Sequence, residues 1–130
     1  MTGAPRQLRV LLCDDDLMIS EALRDVLAVE PDLDVVAIGQ NADEAVSLAV
    51  EHEPDVAVVD MRMPGGGAHA VAGIRQCSPR TRVVAFTAYG DPSAREEMRA
   101  AGAIAYLLKG VSIDELVATI RRVGGISPSH

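Results

Sequence analysis

The 130-residue sequence has few aromatic residues and few cysteines, and each shortage excludes a class of function. It contains no tryptophan, two tyrosines and one phenylalanine, too few for a platform on which the bases of single-stranded nucleic acid stack. Its two cysteines, Cys13 and Cys77, lie far apart and outside any CxxC or histidine-containing spacing. Neither a disulfide scaffold nor a zinc site is therefore predicted, and we expect both cysteines to be reduced and structural.

Positive charge and long apolar runs are also scarce. The 12 Lys and Arg residues face 19 Asp and Glu, which gives a formal net charge of -7 and a pI near 4.8. Binding to a phosphate backbone requires a basic patch, so this chain is not expected to bind nucleic acid by itself. No apolar run approaches the roughly 20 residues of a membrane span, and residues 1–7 lack the apolar core of a secretory signal. The sequence predicts a cytoplasmic protein without membrane association.

What the sequence does contain is a regular alternation of short apolar runs with amphipathic stretches. With 48% hydrophobic and 24% charged residues it is typical of one globular domain. Five predicted strands alternate with five predicted helices and no hairpin signal occurs, which favours a parallel sheet covered on both sides. The first helix is predicted over residues 17–29. Its apolar face is predicted to consist of Ile19, Ala22, Leu23, Val26 and Leu27.

Two further helices carry informative signals. The fourth begins near Asp91 and Pro92, ends at Gly102 and is polar over most of its surface, so we expect it to move most easily. The last has Ser112 as its N-cap and ends at Val123.

Polar side chains stand where the apolar runs end. The run 56–59 stops at Asp60, and the run 8–13 stops at Asp14 and Asp15. Ligands of open α/β sheets bind beyond the carboxyl ends of the strands, so these acids are placed for chemistry. Grouped carboxylates repel one another, and a hard divalent cation such as Mg2+ explains their grouping. Each acid taken alone also fits a turn cap or a solvated surface residue.

Two more predicted strands end on polar groups, Thr87 at the end of the run 82–87 and Lys109 at the end of the run 104–109. The segments LLCDDD, VVDMRMP, VVAFTA and AYLLK therefore follow one another in order. Together they make residues 8 to 123 resemble the receiver domain of bacterial two-component response regulators. The segments LRVLLCDD, DMRMPGG, AGAIAYLLKG and SIDELVATIRRV are most similar to the NarL/LuxR-type subfamily, whose receivers precede a helix-turn-helix output domain. The resemblance implies a flavodoxin-like (βα)5 three-layer sandwich with a parallel five-stranded sheet of order 2-1-3-4-5.

The resemblance also implies roles for individual residues. Asp60 matches the phosphoacceptor, Lys109 the ammonium that contacts the phosphoryl oxygens, and Thr87 the hydroxyl that turns towards the phosphate. Thr87 and Tyr106 together match the switch pair of the family. A solvated Lys109 and a merely half-buried strand Tyr106 are the alternatives.

The implied cofactor is Mg2+, held by Asp14, Asp15, Asp60 and the backbone carbonyl of Arg62. Asp16 leaves a second register open, because a first strand one residue longer would make Asp15 and Asp16 the acid pair. The count from Val10 favours the earlier pair, Asp14 and Asp15. Arg62 also occupies, with Tyr89, a position that the family uses to set the lifetime of the phosphorylated state.

The sequence departs from the family pattern at two places. The usual Asp-Gly after Met-Pro is replaced by residues 66–68, Gly-Gly-Ala, so the start of the third helix is expected to be less well anchored. The glycine run 65–67 lacks the spacing of a phosphate-binding loop and is interpreted as flexible. Lys109 precedes Gly110 where many receivers have proline, so a cis peptide bond is not assumed there.

The function implied is acceptance of a phosphoryl group on Asp60 from a sensor histidine kinase or a small acyl phosphate, in a Mg2+-dependent reaction. Such a domain is a switch rather than an enzyme, catalysing at most its own phosphorylation and dephosphorylation. Phosphorylation is expected to promote a homodimer. Residues 1–123 are predicted to form the receiver, and residues 124–130 to begin a linker towards an output domain, through which alone DNA would be bound.

Three other functions compete with this interpretation. The chain could be a stand-alone receiver that signals by protein contacts, or a purely structural interaction module. A haloacid-dehalogenase-type phosphatase also uses Asp, Thr and Lys around Mg2+. Its DxDx[TV] pattern is only half met by residues 14–18, Asp-Asp-Asp-Leu-Met, which satisfy the DxD alone.

Overall fold

The computed structural model describes residues 7–88, 90 and 92–125, in which strands and helices alternate five times. The strands are β1 (Leu8–Cys13), β2 (Leu33–Gly39), β3 (Val56–Val59), β4 (Arg82–Thr87) and β5 (Ala105–Leu108). The helices are α1 (Leu17–Leu27), α2 (Ala42–His52), α3 (Gly67–Cys77), α4 (Pro92–Ala101) and α5 (Ile113–Val123).

The strands form one sheet in the order β2-β1-β3-β4-β5, and every neighbouring pair is parallel. This confirms the predicted flavodoxin-like topology. The central strand β3 has four buried apolar side chains, as expected for a strand covered on both faces. Parallel pairing brings the carboxyl ends of all five strands to one edge of the sheet, which is where the polar strand ends predicted a site.

The sheet divides the interior into two cores because successive side chains of a strand point to opposite faces. In β1, Leu8, Val10 and Leu12 join the core formed with α1 and α5, whereas Leu11 and Cys13 join the core formed with α2, α3 and α4. The architecture is therefore three-layered, helix on sheet on helix. A side chain at a strand end can be assigned to one side of the sheet by counting in steps of two.

Helix α1 corrects part of the sequence interpretation. It ends at Leu27 rather than Val29, and its inner surface carries Ser20, Leu23 and Leu27. Three residues of the predicted apolar face are instead exposed, namely Ile19, Ala22 and Val26. Positions 20, 23 and 27 lie on one face of an α-helix. The buried face of α1 is therefore rotated by about one residue position from the more apolar face that the sequence predicted. A serine thereby takes a core position.

The other helix ends agree more closely with the sequence. Ser112 caps α5 by accepting a hydrogen bond from the Glu115 backbone N–H, and α5 ends at Val123. Helix α4 buries only Ala94 and Met98, as its polar sequence predicted. The helix begins at Pro92, the predicted first position, and Asp91 before it lies outside the described residues. Across the part of the chain that the structure describes, no helix has the length and apolar character needed to cross a membrane.

Candidate acidic site at the carboxyl edge of the sheet

Backbone hydrogen bonds place two acids side by side just beyond β1 and β3. The Asp60 N–H donates to the Cys13 carbonyl at 2.9 Å, and the Asp14 N–H donates to the Gly39 carbonyl at 3.0 Å. These bonds continue the parallel ladder one residue past the strands. Asp14 follows Leu12 by two positions and Asp60 follows Val58 by two, so both side chains lie on the α1 and α5 side of the sheet.

Three carboxylates meet at this point. One oxygen each from Asp14, Asp15 and Asp60 lies within 4.8 Å of the others. Asp14 and Asp60 are buried, at 8% and 6% exposure, whereas Asp15 is exposed. Asp16 has a different role: its side chain accepts a hydrogen bond from the Ile19 N–H and caps α1. The geometry thus groups Asp14 and Asp15 with Asp60, the earlier of the two registers that the sequence left open.

Lys109 is the only lysine in the sequence, and its ammonium lies between two of these acids. The Nζ atom is 2.5 Å from Asp14 Oδ2 and 3.3 Å from Asp60 Oδ2. Its backbone N–H donates to the Thr87 carbonyl at 2.8 Å, so the end of β5 is tied to the end of β4. The side chain is therefore held within the site rather than in solvent.

Burial dominates the electrostatics of the cluster. It raises the pKa of Asp60 above the ordinary value of 3.8, against the nearby charge of Lys109, while the charge of Asp14 raises it further. For Lys109, burial lowers the pKa, but its hydrogen bond to Asp14 and the charges of both acids outweigh this effect and raise it overall. Lys109 therefore stays protonated at neutral pH. Asp60 is a carboxylate whose negative charge is poorly stabilised.

The loop that follows Asp60 is packed rather than loose. The Gly67 N–H donates to the Met61 carbonyl at 3.0 Å as α3 begins. A Cβ added at Gly67 would lie 2.4 Å from the backbone oxygen of Asp60, a distance that no side chain tolerates. The interpretation of residues 65–67 as a flexible segment is therefore wrong at Gly67, whose missing side chain lets α3 start directly against the backbone of the phosphoacceptor candidate.

Thr87 and Tyr106 belong to the α4 face of the sheet, and Thr87 ends β4 at the same carboxyl edge at which the acids lie. Thr87 is fully buried at the end of β4 and shares a face with Ala85, which pairs with Tyr106. That face packs against α4, from which the Arg95 guanidinium lies 5.3 Å from the centre of the half-buried Tyr106 ring. The two predicted switch residues therefore share the α4 side of the sheet.

The remaining predicted positions are placed as follows. The Arg62 backbone N–H bonds to Asp60, which lowers the pKa of that carboxyl. The peptide bonds of the described residues are all trans, including that between Lys109 and Gly110. Burial, followed by the charge of Asp14, raises the pKa of the Cys13 thiol, consistent with a structural cysteine. Tyr89 lies outside the described residues.

The comparison with protein families matches residues 10–121 to the response regulator receiver domain. The chain belongs to that family. Its receiver identity, predicted from four short motifs, is confirmed. Members of this family are switches of two-component signalling, and phosphorylation of an aspartate is their general function.

Similar proteins support the subfamily as well. The chain is 32% identical over 117 residues to the transcriptional regulatory protein LnrK of Bacillus subtilis (strain 168), which covers 89% of this chain and 53% of LnrK. It is 32% identical over 118 residues to the DNA-binding transcriptional activator DevR/DosR of Mycobacterium tuberculosis, covering 90% and 54% of the two chains. This receiver thus spans about half the length of these curated relatives.

A solved structure gives the same result. The signal receiver domain of the response regulator NarL from Mycobacterium tuberculosis superposes with a TM-score of 0.86 at 32% identity, covering 93% of this receiver and 99% of that chain. A DNA-binding response regulator of the LuxR family from Staphylococcus aureus matches with a TM-score of 0.84 at 29% identity, covering 91% and 99%. The resemblance to NarL/LuxR-type receivers is confirmed.

Proposed function

We propose that Asp60 accepts a phosphoryl group from a phosphohistidine of a sensor histidine kinase, or from a small acyl phosphate. The observation that carries the proposal is the position of the Asp60 carboxylate, 3.3 Å from the Lys109 ammonium and within 4.8 Å of two further acids. Asp60 lies at the carboxyl edge of the sheet, where its neighbour Asp15 is exposed to solvent. The site thus combines a reactive carboxylate with groups that handle a phosphoryl dianion.

The acid cluster fits Mg2+. This ion prefers hard oxygen donors at 2.0–2.1 Å, so oxygens that share it lie within about 4.2 Å of one another. The carboxylate oxygens of Asp14, Asp15 and Asp60 are within 4.8 Å, so small side-chain rotations suffice. We propose that these three acids and the backbone carbonyl of Arg62 hold the ion. When bound, Mg2+ supplies neutralisation of charge on the phosphoryl oxygens.

The chemical step is a displacement at phosphorus. A carboxylate oxygen of Asp60 forms a bond to phosphorus as the phosphorus–nitrogen bond of the phosphohistidine breaks and the imidazole nitrogen keeps the electron pair. Raised basicity favours Asp60 as the nucleophile, because burial leaves its charge poorly solvated. The protonated Lys109 pairs with an oxygen of the transferred group. Phosphoryl transfer depends mainly on positioning and charge neutralisation, which these two residues provide.

The switch is proposed to run through Thr87 to Tyr106. Moving a two-state domain from mostly off to mostly on takes roughly 5.5 kcal/mol of differential stabilisation. A phosphoryl dianion hydrogen-bonded by Thr87 and paired with Lys109 is a source of that energy. Thr87 shares the α4 side of the sheet with Tyr106, and α4 buries little of its own surface, so this side can respond. Dimerisation of the phosphorylated form is the proposed result.

The whole protein is proposed to be a transcription regulator. Its curated relatives are about twice as long as this chain, and LnrK and DevR/DosR are both named as regulators of transcription. Residues 1–123 would be the receiver, and residues 124–130 would begin the linker to a helix-turn-helix domain that binds the DNA. Residues 126–130 lie outside the described part of the chain. The proposed kinase partner places this receiver in the cytoplasm.

Intact-protein mass spectrometry tests the phosphoacceptor. With acetyl phosphate and Mg2+, one added phosphoryl group per chain is expected, and Asp60→Asn should abolish it while Asp16→Asn, outside the acid cluster, should retain it. Labelling of Asp60→Asn at the wild-type rate would contradict the assignment. Steady release of phosphate from a small ester, without a single labelled equivalent, would favour a phosphatase instead.

The switch has a separate test. Thr87→Ala should still accept the phosphoryl group but dimerise less when phosphorylated, as measured by sedimentation of the labelled chain. Full dimerisation of labelled Thr87→Ala would show that the coupling does not pass through this hydroxyl.

A further inference from the structure

A small cavity lies under the acid cluster, between α1 and the sheet. The cavity has a volume of about 10 Å³, close to the space that a single water molecule requires. Helix α1 contributes Ile19, Ser20 and Leu23 to its lining. The strands and their carboxyl ends contribute Leu12, Cys13, Asp14, Val58, Asp60 and Phe86. The cavity therefore touches the proposed phosphoacceptor from the side of α1.

Ser20 is the unusual group in this lining. It is 1% exposed, and its hydroxyl has no hydrogen-bond partner among the described residues. A buried hydroxyl without a partner is destabilising, and buried polar groups in folded proteins are almost always bonded. The buried hydroxyls near the opposite edge of the sheet follow that rule: Ser78 and Thr81 bond to each other at 2.7 Å, and Thr81 donates to the Pro54 carbonyl at 2.8 Å.

The polarity of the cavity suits a water molecule. A buried water needs two to four polar partners. The Ser20 hydroxyl and the carboxylates of Asp14 and Asp60 can supply three, and each carboxylate has more acceptor capacity than its contact with Lys109 uses. A dry cavity of this size is typically lined by apolar groups alone, whereas this one carries two acids and a hydroxyl.

We propose that Ser20 is a positioning residue whose hydroxyl holds one water molecule in this cavity, and that the water donates a hydrogen bond to the Asp60 carboxylate. The torsion that rotates an aspartate carboxylate is broad, so the backbone alone does not fix which oxygen faces the incoming phosphorus. A hydrogen bond from the α1 side restricts that rotation. The effect on phosphorylation rests on the proposed function of Asp60; the water site itself does not.

Two serine-to-alanine variants give a matched test. Ser20 and Ser47 both lie within helices, so both substitutions gain the higher helix propensity of alanine, but Ser47 is exposed on α2. If Ser20 binds water, Ser20→Ala should melt at a lower temperature than Ser47→Ala. If the hydroxyl sits unpaired in a dry cavity, its removal should be stabilising, and Ser20→Ala should melt higher. The sign of the difference decides between the two.

The positioning role has a kinetic test. With saturating Mg2+, Ser20→Ala should be labelled by acetyl phosphate about tenfold more slowly than Ser47→Ala, because misorientation of a reacting group is costly. Its Mg2+ affinity, measured by calorimetry, should stay within about twofold of wild type, which a general loosening of the site would not allow. Equal labelling rates for the two variants would overturn the role.

Crystallography of the wild-type chain, at a resolution that shows ordered water, provides a test that does not depend on phosphorylation. A water within hydrogen-bond distance of Ser20 Oγ and of a carboxylate oxygen of Asp60 is expected. Its absence overturns the proposal. If the wild-type chain takes no label at all, the proposed function fails, and the melting temperatures and the crystal structure still decide the water site.

Discussion

Two groups of charged residues at opposite edges of the sheet use similar chemistry for different ends. At the carboxyl edge, Lys109 lies between Asp14 and Asp60. At the other edge, Arg121 of α5 binds Asp32 through two nitrogens, at 2.7 and 2.8 Å, and Glu30 at 2.8 Å. The Asp32 carbonyl also accepts the N–H of Leu8 at the start of β1. Each cluster joins elements that are distant in sequence through one cation and two acids.

The clusters differ in the direction in which they shift a carboxyl pKa. Burial raises the pKa of Asp60, whereas the hydrogen bond from Arg121 lowers that of Asp32. The exposed fractions of the two side chains, 7% and 22%, explain the difference, because desolvation penalises the buried charge more. The buried charge of Asp60 therefore destabilises the fold, as charges in reactive sites often do. The ion pair of Arg121 with Asp32 stabilises it.

The largest expected effect is on the rate of phosphorylation, which should depend on Lys109 and not on Arg121. Lys109→Met should slow phosphorylation of Asp60 by about 100-fold, equivalent to about 2.7 kcal/mol in activation free energy, because it removes the charge that pairs with the phosphoryl oxygens. Arg121→Met, the matched variant at the other edge, should be labelled at the wild-type rate. The comparison would fail if both variants slowed the reaction equally in a time course with acetyl phosphate.

The next prediction concerns stability, for which the substitution of Arg121 is expected to matter. Arg121→Met should lower the free energy of unfolding by about 1 kcal/mol at pH 7, a value suited to a partly exposed bidentate pair. The folded-state pKa of Asp32 is lowered, so the carboxylate stabilises the fold at pH values above 3.8. That stabilisation is lost as the pH falls through the folded-state pKa. Urea melts at pH 7 and in acid should show the loss shrinking at low pH. A loss independent of pH would point to packing by the arginine stem.

Asp60→Asn should stabilise the fold at pH 7, by less than Arg121→Met destabilises it. A raised folded pKa means that the carboxyl favours the folded state below 3.8 and that this advantage is lost as the pH rises through the folded value. At pH 7 the wild type carries the cost of the buried charge, so Asp60→Asn should melt at a higher temperature, with the gain disappearing in acid. A lower melting temperature at pH 7 would mean that pairing with Lys109 outweighs burial.

The smallest effect concerns a pair with good geometry but no burial. Arg99 and Glu96 of α4 form an ion pair at 2.5 Å, three residues apart on an exposed surface. Glu96→Gln should leave both the melting temperature and the phosphorylation rate unchanged within measurement error, because solvent screens such pairs. A clear loss of stability would show that distance rather than burial sets the strength of these contacts.

The ends of the strands were easier to predict from the sequence than the packing of the helices. The strand ends at Asp14, Asp60, Thr87 and Lys109 were predictable because a buried strand needs an apolar run, and the run stops where the polar group begins. The core position of Ser20 and the close packing of Gly67 were not predictable. The cap formed by Asp16 was missed although it had a signal, because an aspartate directly before a predicted helix is a preferred N-cap. Helix periodicity selects the most apolar stripe, but α1 is rotated by its contacts with the sheet, so a serine is buried.

By itself the sequence determined the alternation of strands and helices, the strand order through the family motifs, and the set of polar groups gathered at one edge. These follow from local periodicity and from the rule that parallel strands share a carboxyl edge. Only the tertiary structure decided which acids lie within reach of Lys109, how deeply Asp60 is buried, and that Ser20 faces it across a small cavity. Those properties depend on distances between residues as far apart as 14 and 109, and such distances are set by packing of the completed fold rather than by any local pattern.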